Sequence, residues 1–215
     1  AVVIGVGSLF FRLPPPAAPT QGAQSAGGPD IPPARMVRTP SFWCFFLWAV
    51  LISGIGLAVI SQAKPFASQV GPGVDAGVIT LVVGFISICN GLGRVLFGGL
   101  FDKLGWKLTM TAVNVVSLAG VLILMAALFT HSFPLVVAVF IVTGLGYGGA
   151  PTMGSAVISS FFGQKNYPVN FSISNMNLLV ASFAGTAAGA LYDASQSYVS
   201  TLVALAVCSV VAFAV

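Results

Sequence analysis

Charge is what this sequence lacks most. Of its 215 residues only eight are Lys or Arg and four are acidic; all four acids are Asp, and there is one His. An ordinary soluble domain carries roughly 25% charged residues. At 6% there are too few to cover a water-facing surface. A formal net charge of +4 on scattered residues also excludes a phosphate-tracking basic patch, so no nucleic-acid partner is expected. Cys44, Cys89 and Cys208 lie inside apolar runs and form no CxxC pair, and His131 has no partner at ligand spacing. No metal site, disulfide framework or cofactor is therefore expected. HExxH and GxSxG are missing, as are clustered intramembrane carboxylates, so the chain is not expected to be an enzyme. The opening AVVIGVGSLFF has no Met or basic stretch before it and is not expected to be a signal peptide.

What is abundant is hydrocarbon. Hydrophobic residues make up 57% of the chain, with a mean hydropathy of +1.03. The solvent for such a surface is lipid, and a helix needs about 20 apolar residues to cross it. Residues 1–11 read as the tail of a truncated helix. Residues 12–38, rich in Pro, Gly, Ala, Ser and Gln, read as a flexible linker. From residue 39 onward, runs at about 42–60 (extending past Pro65), 77–100, 108–130, 134–161 and 168–191 predict five spans. A sixth begins at Tyr198 and reaches the end of the chain. Helices are the expected form, since lipid offers backbone polar groups no other partner.

The breaks between spans sort the charges. Taken alternately, they put Arg12, Arg35, Arg38, Lys103, Lys107 and Lys165 on one side and Lys64 on the other. The positive-inside rule makes the first side cytoplasmic, and with it the linker and the C-terminus; Trp43 and Trp106 sit where interfacial aromatics are expected. GxxxG pairs at Gly144/Gly148 and Gly185/Gly189, with Gly91, Gly93, Gly98 and Gly99, predict close helix contacts.

Arg94 is the sharpest candidate. It lies eight residues before Asp102, roughly 12 Å from the helix end. An Arg at that depth costs ~2.5–3.5 kcal/mol on insertion scales. Two readings follow: its long stem snorkels to the interface, or it faces a watery cavity, where a planar guanidinium grips a carboxylate through paired hydrogen bonds. Asn90 is one turn away on the same face. Tyr147, Asn175, Asn177 and Asn114 are further polar groups inside spans, each equally able to join helices or touch a ligand. Lys64 is a second candidate cation, or an ordinary loop lysine.

The segment from Gly98 to Lys107 reads G-x-x-x-D-[RK]-x-G-x-[RK], with Asp102, Lys103, Gly105 and Lys107 at its key positions. It resembles the signature loop of the major facilitator superfamily, which follows the second helix and recurs after the eighth; it departs at Trp106, where that motif has a basic residue. RTPSFWCFFLWAVLISGIGLAVISQAKPF resembles the seventh helix of the oxalate/formate antiporter family. FFGQKNYPVNFSISNMN resembles that family's tenth-to-eleventh loop and eleventh helix, and NGLGR the part of its eighth helix that carries a substrate-binding arginine. The resemblance covers about 38–215. It implies an all-α membrane protein, a six-helix half-bundle (helices 7–12) preceded by the end of helix 6. Arg94 takes the substrate role and residues 98–107 the gating role. The family's oxalate carrier has a lysine in helix 11 where this chain has Asn177 and Leu178, which favours a monocarboxylate-like anion over oxalate. The expected function is alternating-access transport of a small organic anion across a cell membrane, together with a missing N-terminal half. The alternatives are another specificity (oxalate, drug or sugar) or a non-transporting sensor on the same fold.

Overall fold

The computed structural model describes residues 30–215; the expectations for 1–11, and for the linker as far as 29, lie outside them. Every element described is a helix: α1 (Pro33–Met36), α2 (Pro40–Val70), α3 (Ala76–Thr130), α4 (Phe133–Phe162), α5 (Tyr167–Asn175), α6 (Asn177–Ser195) and α7 (Tyr198–Ala214). Proline stands in the first turn of α1, α2, α4 and α5, where no intrahelical N–H is lost. Asp75 caps α3 by accepting from the Gly77 and Val78 amides at 2.8 and 3.3 Å, and Ser197 caps α7.

α2, α3 and α4 are each long and apolar enough to cross a membrane. At 1.5 Å per residue α3 would be about 80 Å long, far beyond ~30 Å of hydrocarbon. It is two helices joined at Gly105, whose φ of 76° and ψ of 178° break the helical path. A left-handed φ of this kind suits glycine. The packing of α4 shows the reversal. Where α4 advances from Gly144 to Gly149, its neighbours in the first half of α3 advance too, from Ile86 to Phe97. Its neighbours in the second half retreat, from Thr143 against Gly120 to Gly149 against Val113. The first half of α3 therefore runs parallel to α4 and the second half antiparallel.

The predicted 168–191 span is instead two helices, α5 and α6, meeting at Met176. Neither Pro nor Gly stands at that joint. The amide of Met176 bonds to Ile173 O at 3.2 Å, and that of Leu179 to Met176 O at 3.1 Å, tightening the chain to three-residue steps. Pro65 and Pro151, by contrast, sit inside α2 and α4 without ending them.

Close backbone approach holds the bundle together. A Cβ on Gly144 would come within 2.7 Å of Ile86 O. One on Gly148 would strike Asn90 O, and one on Gly93 would strike Leu145 O. Gly185 and Gly189 face Ser61 and Gln62 of α2. Gly91 and Gly99 meet nothing within 4 Å, so only part of the predicted glycine face is packed. Trp48 is buried; its Nε1–H donates to Asn114 Oδ1 at 2.7 Å, and Asn114 Nδ2 donates to Ala212 O at 3.1 Å. That chain ties α2 to α3 and α7 and makes Asn114 a helix joint. On α5, Asn170 Oδ1 and Ser174 Oγ are buried with no hydrogen-bond partner among the described residues; such atoms cost ~1–3 kcal/mol each.

Candidate functional site

The first half of α3 carries two exposed stripes. One is apolar: Val78, Leu81, Phe85, Ile88, Leu92 and Val95, with Leu81 72% and Val95 76% exposed. The other is small or polar: Thr80, Gly84, Ser87, Gly91 and Arg94, also exposed. Both recur at three- and four-residue steps, so each is a helix face. The apolar face suits acyl chains; the polar one suits water or another polar surface.

Arg94 heads the polar stripe. Its Nε–H donates to Asn90 Oδ1 at 3.2 Å. That bond uses one edge of the guanidinium and leaves the paired terminal Nη groups available. Among the described residues Arg94 pairs with no carboxylate, and its nearest-placed acids in sequence, Asp75 and Asp102, lie at the two ends of this helix. Asn90 is half-buried and lines a cavity of about 250 Å³ with Ile60, Val83, Ile86, Ser87 and Tyr147. Tyr147 comes from α4, and its ring lies over Gly56 of α2, at a spot where a Cβ would clash. Glycines make this crowding possible: Gly148, next to Tyr147, sits against the Arg94 amide and Asn90 carbonyl.

The structure thus brings together Arg94, Asn90 and Tyr147 out of the predicted set. Asn175 and Asn177 flank the Met176 joint instead, Asn175 half-buried and Asn177 buried, and neither lines this cavity. Lys64 is exposed one turn beyond Ile60, so it extends the cavity-facing side of α2 toward the helix end. Sequence reasoning missed Ser87 and Ile60, which line the cavity, and Thr152. The Thr152 hydroxyl donates to Gly148 O at 3.1 Å and reaches Arg94 O at 3.5 Å. Ser87 was within reach of the sequence, being seven residues, two turns, ahead of Arg94.

In the 98–107 loop, Gly98 lies 3.5 Å from the Thr152 methyl as a Cβ would see it, and Gly105 makes the turn. Asp102, Lys103 and Lys107 are exposed. Trp106, the departure from the motif, packs edge-on against Phe161 of α4 at 5.4 Å and 84°, and the Lys107 ammonium lies 5.3 Å from its ring centroid. An aromatic there fastens the loop to α4.

The charged breaks converge. Trp106 meets Phe161, and the Lys165 amide donates to Asp30 Oδ1 at 3.1 Å. The segments bearing Arg35, Arg38, Lys103, Lys107 and Lys165 therefore share one end of the bundle. The other end carries Lys64; there Phe66 packs on Tyr198, and Gly71 lies beside Phe133.

The sequence matches the Major Facilitator Superfamily over residues 1–186. Over 189 residues, 86% of this chain and 44% of the relative, it is 28% identical to the oxalate:formate antiporter of Oxalobacter formigenes. Over 169 residues, 77% of this chain and 41% of the relative, it is 28% identical to an uncharacterized MFS-type transporter, YhjX, of Escherichia coli K12. The chain spans less than half the length of these curated relatives. An all-helical bundle reversing at a glycine inside the Gly98–Lys107 motif, matched across most of its length, belongs to the major facilitator superfamily.

Proposed function

We propose that the complete protein carries a small, monocarboxylate-like organic anion across a cell membrane by alternating access, with Arg94 as the group that grips the carboxylate. One observation carries this reading: a guanidinium fixed through Nε by Asn90, on a polar face beside a 250 Å³ hollow, with no carboxylate partner among the described residues. The Nη pair is then free for a two-pronged contact with a carboxylate, the geometry in which Arg exceeds Lys. Tyr147 and Ser87 supply hydroxyls from the hollow's wall. Lys64 is a second cation on the route out, whereas Asn175 and Asn177 do not line this hollow and the grip on the carboxylate is assigned without them. Neither neighbourhood adds a second fixed cation at the centre, which favours one carboxylate over two. Similarity to an oxalate:formate antiporter supports the anion class.

The polar face of α3 is where the N-terminal half of the transporter would sit, so that two halves rock about a shared midplane site. Asp102, Lys103 and Lys107 would hold one conformation by reaching across to it. The charged end is the cytoplasmic one.

Uptake of labelled formate, lactate, oxalate and a neutral sugar by the reconstituted complete protein tests the proposal. A monocarboxylate is the expected cargo, and Arg94→Lys is expected to cut its uptake at least tenfold, about 1.4 kcal/mol of carboxylate recognition. Sugar uptake, or anion uptake untouched by Arg94→Lys, would refute it.

A further inference from the structure

The stretch before the first long helix is bound to the bundle. Asp30 Oδ1 accepts from the Lys165 amide at 3.1 Å. The Ile31 amide donates to Phe162 O at 3.0 Å, and Ile31 O accepts from Asn170 Nδ2 at 3.0 Å. Met36, 0% exposed, shares a small core with Phe42, Ile158 and Phe162, separate from the main one. Tyr167, Phe171 and Ile173 of α5 pack on that same core. Three elements thus meet on one short strap: α2, the end of α4, and α5.

α5 is the element least held by its own span. It is nine residues long and is cut from α6 at Met176 without a proline or glycine to impose the break. Its buried face carries Asn170 Oδ1 and Ser174 Oγ, one turn apart, both without partners among the described residues. A docked face with unmet hydrogen bonds is poorly matched to its seat, as an element with a second resting position would be. Among the described residues, the one hydrogen bond Asn170 makes from its side chain goes to the strap.

We propose that residues 30–36 form a strap that sets the tilt of α5 about the Met176 joint. When docked, the strap clamps α5 onto α4; when lifted, α5 swings at its joint while α6 stays packed on α2 through Gly185 and Gly189. The inference does not depend on which solute is carried.

Amide hydrogen exchange of the complete transporter in lipid nanodiscs tests it. Two variants bracket the wild type: Asp30→Ala with Met36→Ala to free the strap, and Met36→Cys with Ile158→Cys, in a cysteine-free background, to staple it. Freeing is expected to speed exchange across 167–175 at least tenfold, and oxidising the staple to slow it tenfold relative to the reduced form. Exchange in 177–195 stays the same in both. If the freed variant fails to fold, the staple decides alone. Exchange in 167–175 that ignores the staple, or that changes in step with 177–195, overturns the strap.

Discussion

A guanidinium offers a ligand two different edges, and the residue one turn back chooses between them. Asn90 Oδ1 holds Nε and so leaves the Nη pair open to the carboxylate proposed above. Asn90→Ala should therefore raise KM several-fold, with kcat nearly unchanged, because the fork survives but is no longer aimed. Asn90→Asp should do more: a carboxylate at the same spot pairs with Arg94, competes with the solute, and is expected to lower uptake at least tenfold. Concentration series of uptake by the two variants check both, and equal KM values for Asn90→Ala and wild type would remove Asn90 from the site. Much of this was legible beforehand. A lone Arg inside an apolar run, with Asn four residues earlier, needs only helical geometry to be seen as a pair. Tyr147 was visible only as a polar residue in a span, since its proximity to Arg94 depends on how α4 crosses α3. Ordering among Asn175 and Asn177 was hidden as well, because their directions depend on a joint with no residue that announces it.

Elements here are placed by what is missing from glycine. Along α4, Gly144 and Gly148 touch the backbone of α3, whereas Gly154 has a Phe171 ring atom 3.7 Å from its would-be Cβ, an ordinary contact. Gly144→Ala should therefore force two helices apart and lower the melting temperature of the purified protein by several degrees, while Gly154→Ala leaves it within a degree or two. Similar losses from both would mean that helix propensity, not approach distance, sets the cost. The Trp48–Asn114 bond belongs at the same scale: Trp48→Phe orphans the Asn114 carbonyl, and measured couplings between membrane helices average ~0.6 kcal/mol, so a small but resolvable drop in thermal stability is expected. The turn at Gly105 was legible, because the motif puts Gly where φ must be positive; the proline-led helix starts were legible only in part, since Pro65 and Pro151 stand inside helices. The Met176 joint was not, since apolar runs record burial in lipid and not the path of the axis inside it.

At the scale of the whole molecule the distribution of charge and the distribution of contacts agree without having been derived from one another. Counting breaks assigns Arg35, Arg38, Lys103, Lys107 and Lys165 to one side; Trp106 on Phe161 and Lys165 on Asp30 bring those same breaks together in space. That agreement concerns the ends relative to each other; which end meets the cytoplasm follows from the positive-inside rule alone. It can be measured on intact cells and inverted vesicles with single cysteines at Lys103, Lys165 and Lys64, all exposed positions, in a cysteine-free complete protein. A membrane-impermeant maleimide should label Lys103→Cys and Lys165→Cys in inverted vesicles and Lys64→Cys in intact cells. If Lys103→Cys and Lys165→Cys labelled from opposite sides, the bundle itself would be wrong. If all three labelled with the sides exchanged, the bundle would stand and the orientation would be reversed, leaving five positive charges on the outer face. Placing them there should be the harder course, because these lysines and arginines would have to be carried across the hydrocarbon during insertion.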